Sequence, residues 1–162
     1  MPLTPFHIGP ALFFGLLFFS FIHLPTFLVA NVIIDLEPFF VLLLGLDYPL
    51  HGFFHSFLGG SVAAIILSLV VIGINGKARE VMRFFRLGQK QSQRGIWLAS
   101  FLGIYLHIFL DSFLYADIRP FFPLDINPFY TSQIFGGFEI YGLCIILFIF
   151  GIALYAYKML KH

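Results

Sequence analysis

Charged side chains are scarce in this sequence: aspartate, glutamate, lysine and arginine together make up 10% of its 162 residues. A soluble domain carries about 25%. Hydrophobic residues make up 60% of the chain, including 24 phenylalanines, and the mean hydropathy is +0.97. This balance excludes an ordinary water-soluble domain and predicts an integral membrane protein. We expect a single transmembrane domain over residues 1–162.

The sequence also has only one cysteine and no excess of charge of either sign. The single cysteine, Cys144, lies in an apolar stretch, so no intramolecular disulfide can form. The formal net charge is only +1, so the sequence predicts no strong attraction to nucleic acid. The expected partner is the lipid bilayer.

Apolar segments divide the chain into the elements of a helical bundle. The sequence predicts an all-α, polytopic integral membrane protein of about five spans. A span needs about 20 apolar residues, and the last three segments meet this requirement best. Proline removes a backbone hydrogen bond and disfavours helix at the preceding residue, so we expect the second span to be broken near Pro38. The segments are residues 10–22, 26–46, 57–74, 96–115 and 138–157.

Basic residues are concentrated on one side of the expected bundle. Six of the nine lie in a loop at about residues 76–95, where interleaved apolar residues favour an amphipathic helix on the membrane surface. Lys158 and Lys161 follow the last span, and only Arg119 falls in the Pro/aromatic-rich loop at about residues 116–137. The positive-inside rule predicts a cytoplasmic basic loop and C-terminus, with the N-terminus and the Pro/aromatic-rich loop outside.

A few acidic and histidine residues stand out, because a polar group in hydrocarbon is costly unless it is paired, bound to a metal or hydrated. His107 and Asp111 are spaced i, i+4 in the fourth span, which places both side chains on one helix face. A histidine and a carboxylate in this arrangement form half of a site for zinc or a similar ion. The alternative is a hydrogen-bonded pair that only joins helices.

Asp35 and Glu37 lie in the second apolar segment, directly before Pro38. On a regular helix they diverge, but at a broken helix end both can point into one cavity, where one would act as a general base. The alternative is a hydrated polar cluster at the membrane interface. His51 and His55 precede the third span. His51 is as consistent with an interfacial histidine as with a ligand.

Four sequence elements in the same order resemble the YdjM-like (DUF457) family, inner-membrane proteins predicted to be metal-dependent hydrolases. The family carries an N-terminal histidine, a D-x-D-H element, an H-R-G-x-T-H-S element, and an H-x-x-x-D element followed by a proline-rich loop. The matching stretches are PFHIG, IDLEPF, LHGFFHS and GIYLHIFLDSFLYADIRPFFP. The chain departs from the family pattern at Glu37, Pro38, Leu50, His51 and Phe54.

The resemblance implies a membrane-embedded metal-dependent hydrolase of the plasma (inner) membrane. Asp35 or Glu37 would be the catalytic base. Histidine and carboxylate ligands without cysteine favour zinc, with manganese or iron as alternatives. A site recessed in the outer leaflet suits an amphiphilic or lipid-linked (phospho)ester substrate. The metal ligands that the resemblance implies are His7, Asp35, Glu37, His55, His107 and Asp111.

Two other functions fit the same residues. Carboxylates and histidines between membrane helices also form relay or coordination sites in proton- or metal-ion-linked transporters and channels. Alternatively, they only lock helices together in a non-catalytic structural membrane protein. Inverted repeats interrupted by glycine would favour a transporter, and the sequence shows none. Bound metal that is lost on mutation would separate the first two functions from the third.

Overall fold

The computed structural model describes residues 4–74, 82–85, 87, 89, 92–130 and 137–161. The regular elements of these residues are helical, in agreement with the all-α fold expected from the sequence. One turn of 3-10 helix, Phe53–His55, lies before the fourth α-helix. The α-helices are α1 (Thr4–Leu17), α2 (Leu24–Ile33), α3 (Leu36–Leu44), α4 (Phe57–Gly73), α5 (Gln93–Leu114) and α6 (Phe138–Leu160).

Three helical segments are long and apolar enough to cross a membrane. They are the combined α2–α3 segment of 21 residues, α5 of 22 residues and α6 of 23 residues. The helices α1 and α4 are also apolar but shorter, and the 17 residues of α4 extend about 26 Å at 1.5 Å per residue. This architecture is consistent with a membrane protein, and the count of five spans stays a prediction.

Helix α5 is the central helix of the bundle. It packs against α2 and α4, while α1 packs against α2 and α6. Ile96, Ile104 and Ile108 of α5 are fully buried in the resulting core. Most apolar side chains of α6 point outward instead, and Ile149 and Phe150 are more than half exposed. A contiguous apolar surface of this kind suits contact with lipid rather than with water.

Contacts between neighbouring helices show the direction in which each one runs. The helices α1 and α6 run in the same direction, and so do α2 and α5, whereas α4 runs antiparallel to α5. Helix α1 runs antiparallel to α2, because Gly15 near the end of α1 faces Leu24 at the start of α2. His7 near the start of α1 stacks on His107, which is hydrogen-bonded to Asn31 near the end of α2. Taken in chain order, α1, α2, α4, α5 and α6 therefore alternate in direction, as successive membrane passes must. The contacting pairs are Gly9–Cys144 and Leu12–Gly151 for α1–α6, Phe27–Gly103 and Asn31–His107 for α2–α5, and Gly60–Ile108 and Phe57–Pro120 for the α4–α5 region.

The α2–α3 segment is interrupted at Ile34 and Asp35. Pro38 has no N–H and cannot donate to the carbonyl of Ile34, the acceptor that a continuous helix would use. That carbonyl accepts a 3.0 Å hydrogen bond from the N–H of Glu37 instead. The break that the sequence predicts near Pro38 is therefore present, directly before the turn that contains the proline. It exposes the side chain of Asp35 to the interior of the bundle, where it is 6% exposed.

The two loops that the charge pattern assigns to opposite membrane sides lie partly outside the described residues. The amphipathic helix expected at residues 76–95 falls mostly outside them and stays a prediction. Residues 116–130 of the Pro/aromatic-rich loop are described, whereas residues 131–136 are not. The described part of this loop contacts the start of α4, where the N–H of Phe57 donates a 2.8 Å hydrogen bond to the carbonyl of Pro120.

The close approach of α2 and α5 depends on Gly103. A Cβ atom at this position would lie 2.6 Å from the Cβ of Ala30, whereas a Cβ at Gly142 of α6 would meet no heavy atom within 4 Å. We predict that Gly103→Ala lowers the melting temperature of the detergent-solubilised protein, at a cost of about 1–3 kcal/mol. Gly142→Ala is the matched control and should not lower it. Equal melting temperatures for the wild type and Gly103→Ala would contradict this contact.

Candidate metal centre

Four segments of the chain bring ionisable side chains into one buried region. Helix α1 contributes His7, the α2–α3 break contributes Asp35, the 3-10 turn contributes His55, and α5 contributes His107 and Asp111. None of the five is more than 6% exposed. Burying this many ionisable groups is costly unless they are paired with one another or share a cation.

Four of these side chains have the spacing of a metal site. Asp35, His55, His107 and Asp111 each offer one ligand atom, and these atoms all lie within 4.8 Å of one another. His107 Nε2 lies 3.4 Å from Asp35 Oδ1 and 3.3 Å from Asp111 Oδ2. In a tetrahedral site with bonds of about 2.1 Å, neighbouring ligand atoms are about 3.4 Å apart. The four-residue group is therefore spaced for one shared cation.

The two Nε2 atoms of this group lack ordinary hydrogen bonds. Those of His55 and His107 are both buried and have no hydrogen-bond partner among the described residues. The distances from His107 to the carboxylates exceed the usual 2.7–3.2 Å, and His55 Nε2 is 3.9 Å from Asp35 Oδ1. Leaving a buried nitrogen without a partner costs about 1–3 kcal/mol. Both atoms therefore point to a ligand that completes the site.

Hydrogen bonds at the other ring nitrogen direct both histidines toward the group. His107 Nδ1 lies 2.8 Å from the backbone carbonyl oxygen of Asn31, and His55 Nδ1 lies 2.8 Å from Glu37 Oε2. A carbonyl or carboxylate oxygen accepts, so each Nδ1 carries the proton and donates it. In the neutral ring, Nε2 then keeps its lone pair for a metal. This is how metal-ligating histidines are commonly held by a further partner.

The electrostatics of the region favour a cation. His55 is fully buried, and burial disfavours the charged form of an imidazole. The neutral imidazole is the form that binds a metal. The carboxyl groups of Asp35, Glu37 and Asp111 lie in the same region, and a divalent ion would compensate the negative charge that they carry when ionised.

His7 covers the group from α1. Its Nε2 atom lies 2.9 Å from Asp111 Oδ1, and its ring stacks on that of His107 with the centroids 4.1 Å apart. His7 is not one of the four residues whose ligand atoms share the site. It contacts that group from outside and holds one oxygen of the Asp111 carboxylate.

Glu37 supports the group through His55. One carboxylate oxygen accepts from His55 Nδ1, and the other accepts from the backbone N–H of Phe54 at 3.2 Å. These bonds fasten the 3-10 turn to the first turn of α3. The structure therefore places Glu37 next to the four-residue group, on the outer nitrogen of one of its histidines.

A second histidine–aspartate pair lies beside the centre. His51 Nδ1 is 2.9 Å from Asp117 Oδ2, and the ring of His51 packs edge-on against His55 with the centroids 4.8 Å apart. Burial is the largest single influence and would raise the pKa of Asp117, but the hydrogen bond and electrostatic attraction of His51 and two backbone hydrogen bonds together outweigh it, and the pKa falls below its usual value. The pair joins the loop after α5 to the turn before α4.

All six residues that the sequence suggests as ligands lie in this region, four within the group and two in contact with it. Sequence analysis did not identify the carbonyl of Asn31, which has no side-chain signal. It also did not pair His51 with Asp117, which lies 66 residues away. The only sequence signal for His51 is its i, i+4 spacing from His55.

Comparison of the chain with protein-family models, with curated proteins and with solved structures finds no match. The resemblance to the YdjM-like family therefore rests on the sequence elements quoted above. The fold brings residues from all four of those elements into one region: His7, Asp35 with Glu37, His55, and His107 with Asp111.

We predict that Asp117→Asn destabilises the protein slightly. A hydrogen bond to a charged group contributes about 1.5–3 kcal/mol when it is buried, but the Asp117 side chain is 46% exposed. We therefore expect a loss of less than about 1 kcal/mol, or about 2 °C in melting temperature. Because the pKa of Asp117 is lowered by folding, the stabilisation is present above about pH 4 and is lost as the pH falls further.

The matched control is Asp125→Asn, which removes an ion pair with Arg119 between two exposed side chains. Such pairs contribute about 0–1 kcal/mol, and this contribution is not tied to the 3-10 turn. Melting temperatures at pH 7 and below pH 4 provide the measurement. If Asp117→Asn melts at the wild-type temperature at pH 7, the His51–Asp117 pair does not stabilise the fold.

Proposed function

We propose that the protein is a membrane-embedded metal-dependent hydrolase that acts on a lipid or lipid-linked (phospho)ester. The observation that carries this proposal is the buried group of Asp35, His55, His107 and Asp111, whose ligand atoms are spaced for one cation. The resemblance of the sequence to the YdjM-like family supports hydrolysis as the reaction. The apolar surface of the bundle supports an amphiphilic substrate.

The donor atoms favour zinc as the metal. Two imidazole nitrogens and two carboxylate oxygens are ligands that zinc binds with tetrahedral geometry. Manganese and iron use the same ligand types and are the alternatives. The single cysteine of the chain is not among the four residues, so a thiolate-bound metal is not favoured.

The protein supplies the orientation that hydrolysis needs. A divalent ion in the site would polarise a substrate oxygen and lower the pKa of a water molecule. The Asn31 carbonyl and Glu37 hold the two histidine rings so that each Nε2 faces the site. Asp35 and Glu37 are the two candidate bases. Asp35 belongs to the four-residue group, and Glu37 accepts hydrogen bonds from His55 and from the backbone of Phe54.

We further propose five spans in the plasma (inner) membrane, with the N-terminus outside and the C-terminus in the cytoplasm. The alternating directions of α1, α2, α4, α5 and α6 support this arrangement. The ends of α1 and α6 lie on one side, since Lys158 Nζ is 5.0 Å from the ring of Phe19. In this orientation the candidate metal centre lies in the outer half of the membrane, because His55 precedes α4 and Asp111 lies near the end of α5.

A reporter fused to the C-terminus tests this orientation. Because Lys158 and Lys161 follow the last span, we expect a fluorescent protein at this position to fold in the cytoplasm. An alkaline phosphatase fusion at the same position should be inactive, whereas a fusion ahead of α1 should be active. Phosphatase activity at the C-terminus would reverse the proposed orientation.

Metal analysis of purified variants tests the function itself. His107→Ala and Asp111→Ala each remove one of the four ligands, so we expect the affinity for zinc to fall by more than about a hundredfold. Glu37→Ala removes only the support of His55, and a loss of about 10–100-fold is expected. Asp125→Ala is the control, because that side chain is exposed in the loop after α5.

The outcomes separate the three candidate functions. Full metal occupancy in Asp111→Ala would contradict the four-residue site. A wild-type protein without metal would favour the structural function. A metal-bound protein that cleaves no member of a broad panel of lipid esters and phosphates would favour transport of protons or metal ions, or a structural metal.

A further inference from the structure

Helix α3 stands apart from the rest of the bundle. Among the described elements, it packs extensively against none. Two residues attach the segment to the 3-10 turn. Glu37 accepts from the N–H of Phe54 and from His55 Nδ1, and the hydroxyl of Tyr48 accepts from the N–H of Phe53 at 2.9 Å. Between these attachments, the body of α3 is separated from α4 by a cavity of about 640 Å³.

The wall of this cavity, here called the α3–α4 groove, is almost entirely apolar. Leu36 and Phe40 line it from α3, and Ala63, Ile66 and Val70 line it from α4. The α4 side extends over eight residues, from Ala63 to Val70, or about 10 Å at 1.5 Å per residue. It leads away from the end of α4 that adjoins the candidate metal centre. Such a surface offers a polar ligand almost no hydrogen bonds and offers a hydrocarbon chain continuous contact.

The groove is continuous with the candidate metal centre through Glu37. Among the described residues that line the groove, this carboxylate is the only charged group, and it also accepts a hydrogen bond from His55 Nδ1 at 2.8 Å. One end of the α3–α4 groove therefore lies against Glu37, the side chain that orients His55. An occupant with a polar head and one apolar tail matches both ends of this arrangement.

We propose that the α3–α4 groove binds the hydrocarbon tail of the substrate and thereby places its ester or phosphoester head at the candidate metal centre. This inference rests on the proposed hydrolase function and adds to it a binding site for the tail. With the proposed orientation, the tail lies along α4 toward the middle of the membrane and the head lies in the outer half. The groove then accounts for substrate selection by the tail rather than by the head alone.

A photoreactive lipid analogue tests the groove directly. The probe is hexadecyl phosphate with a diazirine in its chain, added to the protein in phosphatidylcholine nanodiscs, and the labelled residues are mapped by mass spectrometry. We expect saturable labelling of residues that line the α3–α4 groove. Ile66→Trp should raise the half-saturating concentration about tenfold, because the indole occupies space that the chain needs.

Neighbouring residues of α4 provide matched controls. Ile65 and Ile66 are adjacent and 42% and 54% exposed, but only Ile66 lines the groove. Ile65→Trp should therefore change the half-saturating concentration by less than about twofold. Val70→Trp and its control Leu69→Trp repeat the comparison one turn along the helix, since Leu69 is exposed and is not in the lining.

Three results would overturn the proposal: labelling that does not saturate, equal effects of Ile65→Trp and Ile66→Trp, or a change of oligomeric state in Ile66→Trp alone. The first two would assign the groove to bulk lipid, and the third to a second copy of this chain. Metal content, measured on the same samples, separates this inference from the proposed function. Saturable labelling without bound metal would support the tail-binding site and reject the hydrolase function. Bound metal without saturable labelling would support the metal centre and reject the tail-binding site.

Discussion

The contact of His107 with the carboxylates of Asp35 and Asp111 constrains the helices around it. An imidazole and two carboxylates at 3.3–3.4 Å, all buried, need further partners for their remaining atoms. Those partners come from neighbouring segments, with the carbonyl of Asn31 from α2 and the ring of His7 from α1. Helices α1 and α2 must therefore meet α5 at the same level, and the interruption of the α2–α3 segment must lie there as well.

Small residues allow the helices to approach closely enough for these contacts. Gly103 brings α5 against Ala30 of α2, and Gly60 brings α4 against Ile104 and Ile108 of α5. Between membrane helices the surrounding lipid is as apolar as the side chains, so close packing and hydrogen bonds between helices carry more of the stabilisation. The glycines and the polar group therefore depend on each other: without the close packing, His107 could not reach the backbone of α2.

Glu37 links the candidate centre to an exposed apolar surface of the bundle. The same carboxylate orients His55 and forms the polar end of the α3–α4 groove. Glu37 therefore affects two properties at once: the direction in which His55 Nε2 points and the shape of the α3–α4 groove. Substitutions deeper in the groove, such as those at Ile66, alter only the cavity. This difference allows the proposed chemistry of the site and the proposed binding of a tail to be tested independently.

Local rules were enough to predict the helical membrane class, the break near Pro38 and the shared face of His107 and Asp111, because hydropathy, proline geometry and the helical repeat act within a few residues. No local rule states which of two nearby acids faces a cavity, or that His51 meets a residue 66 positions away. Those choices depend on how α1, α2 and α4 pack around α5. The amino-acid pattern was therefore enough to predict the residue types of the candidate site. Packing between distant segments decided which atoms of those residues face one another.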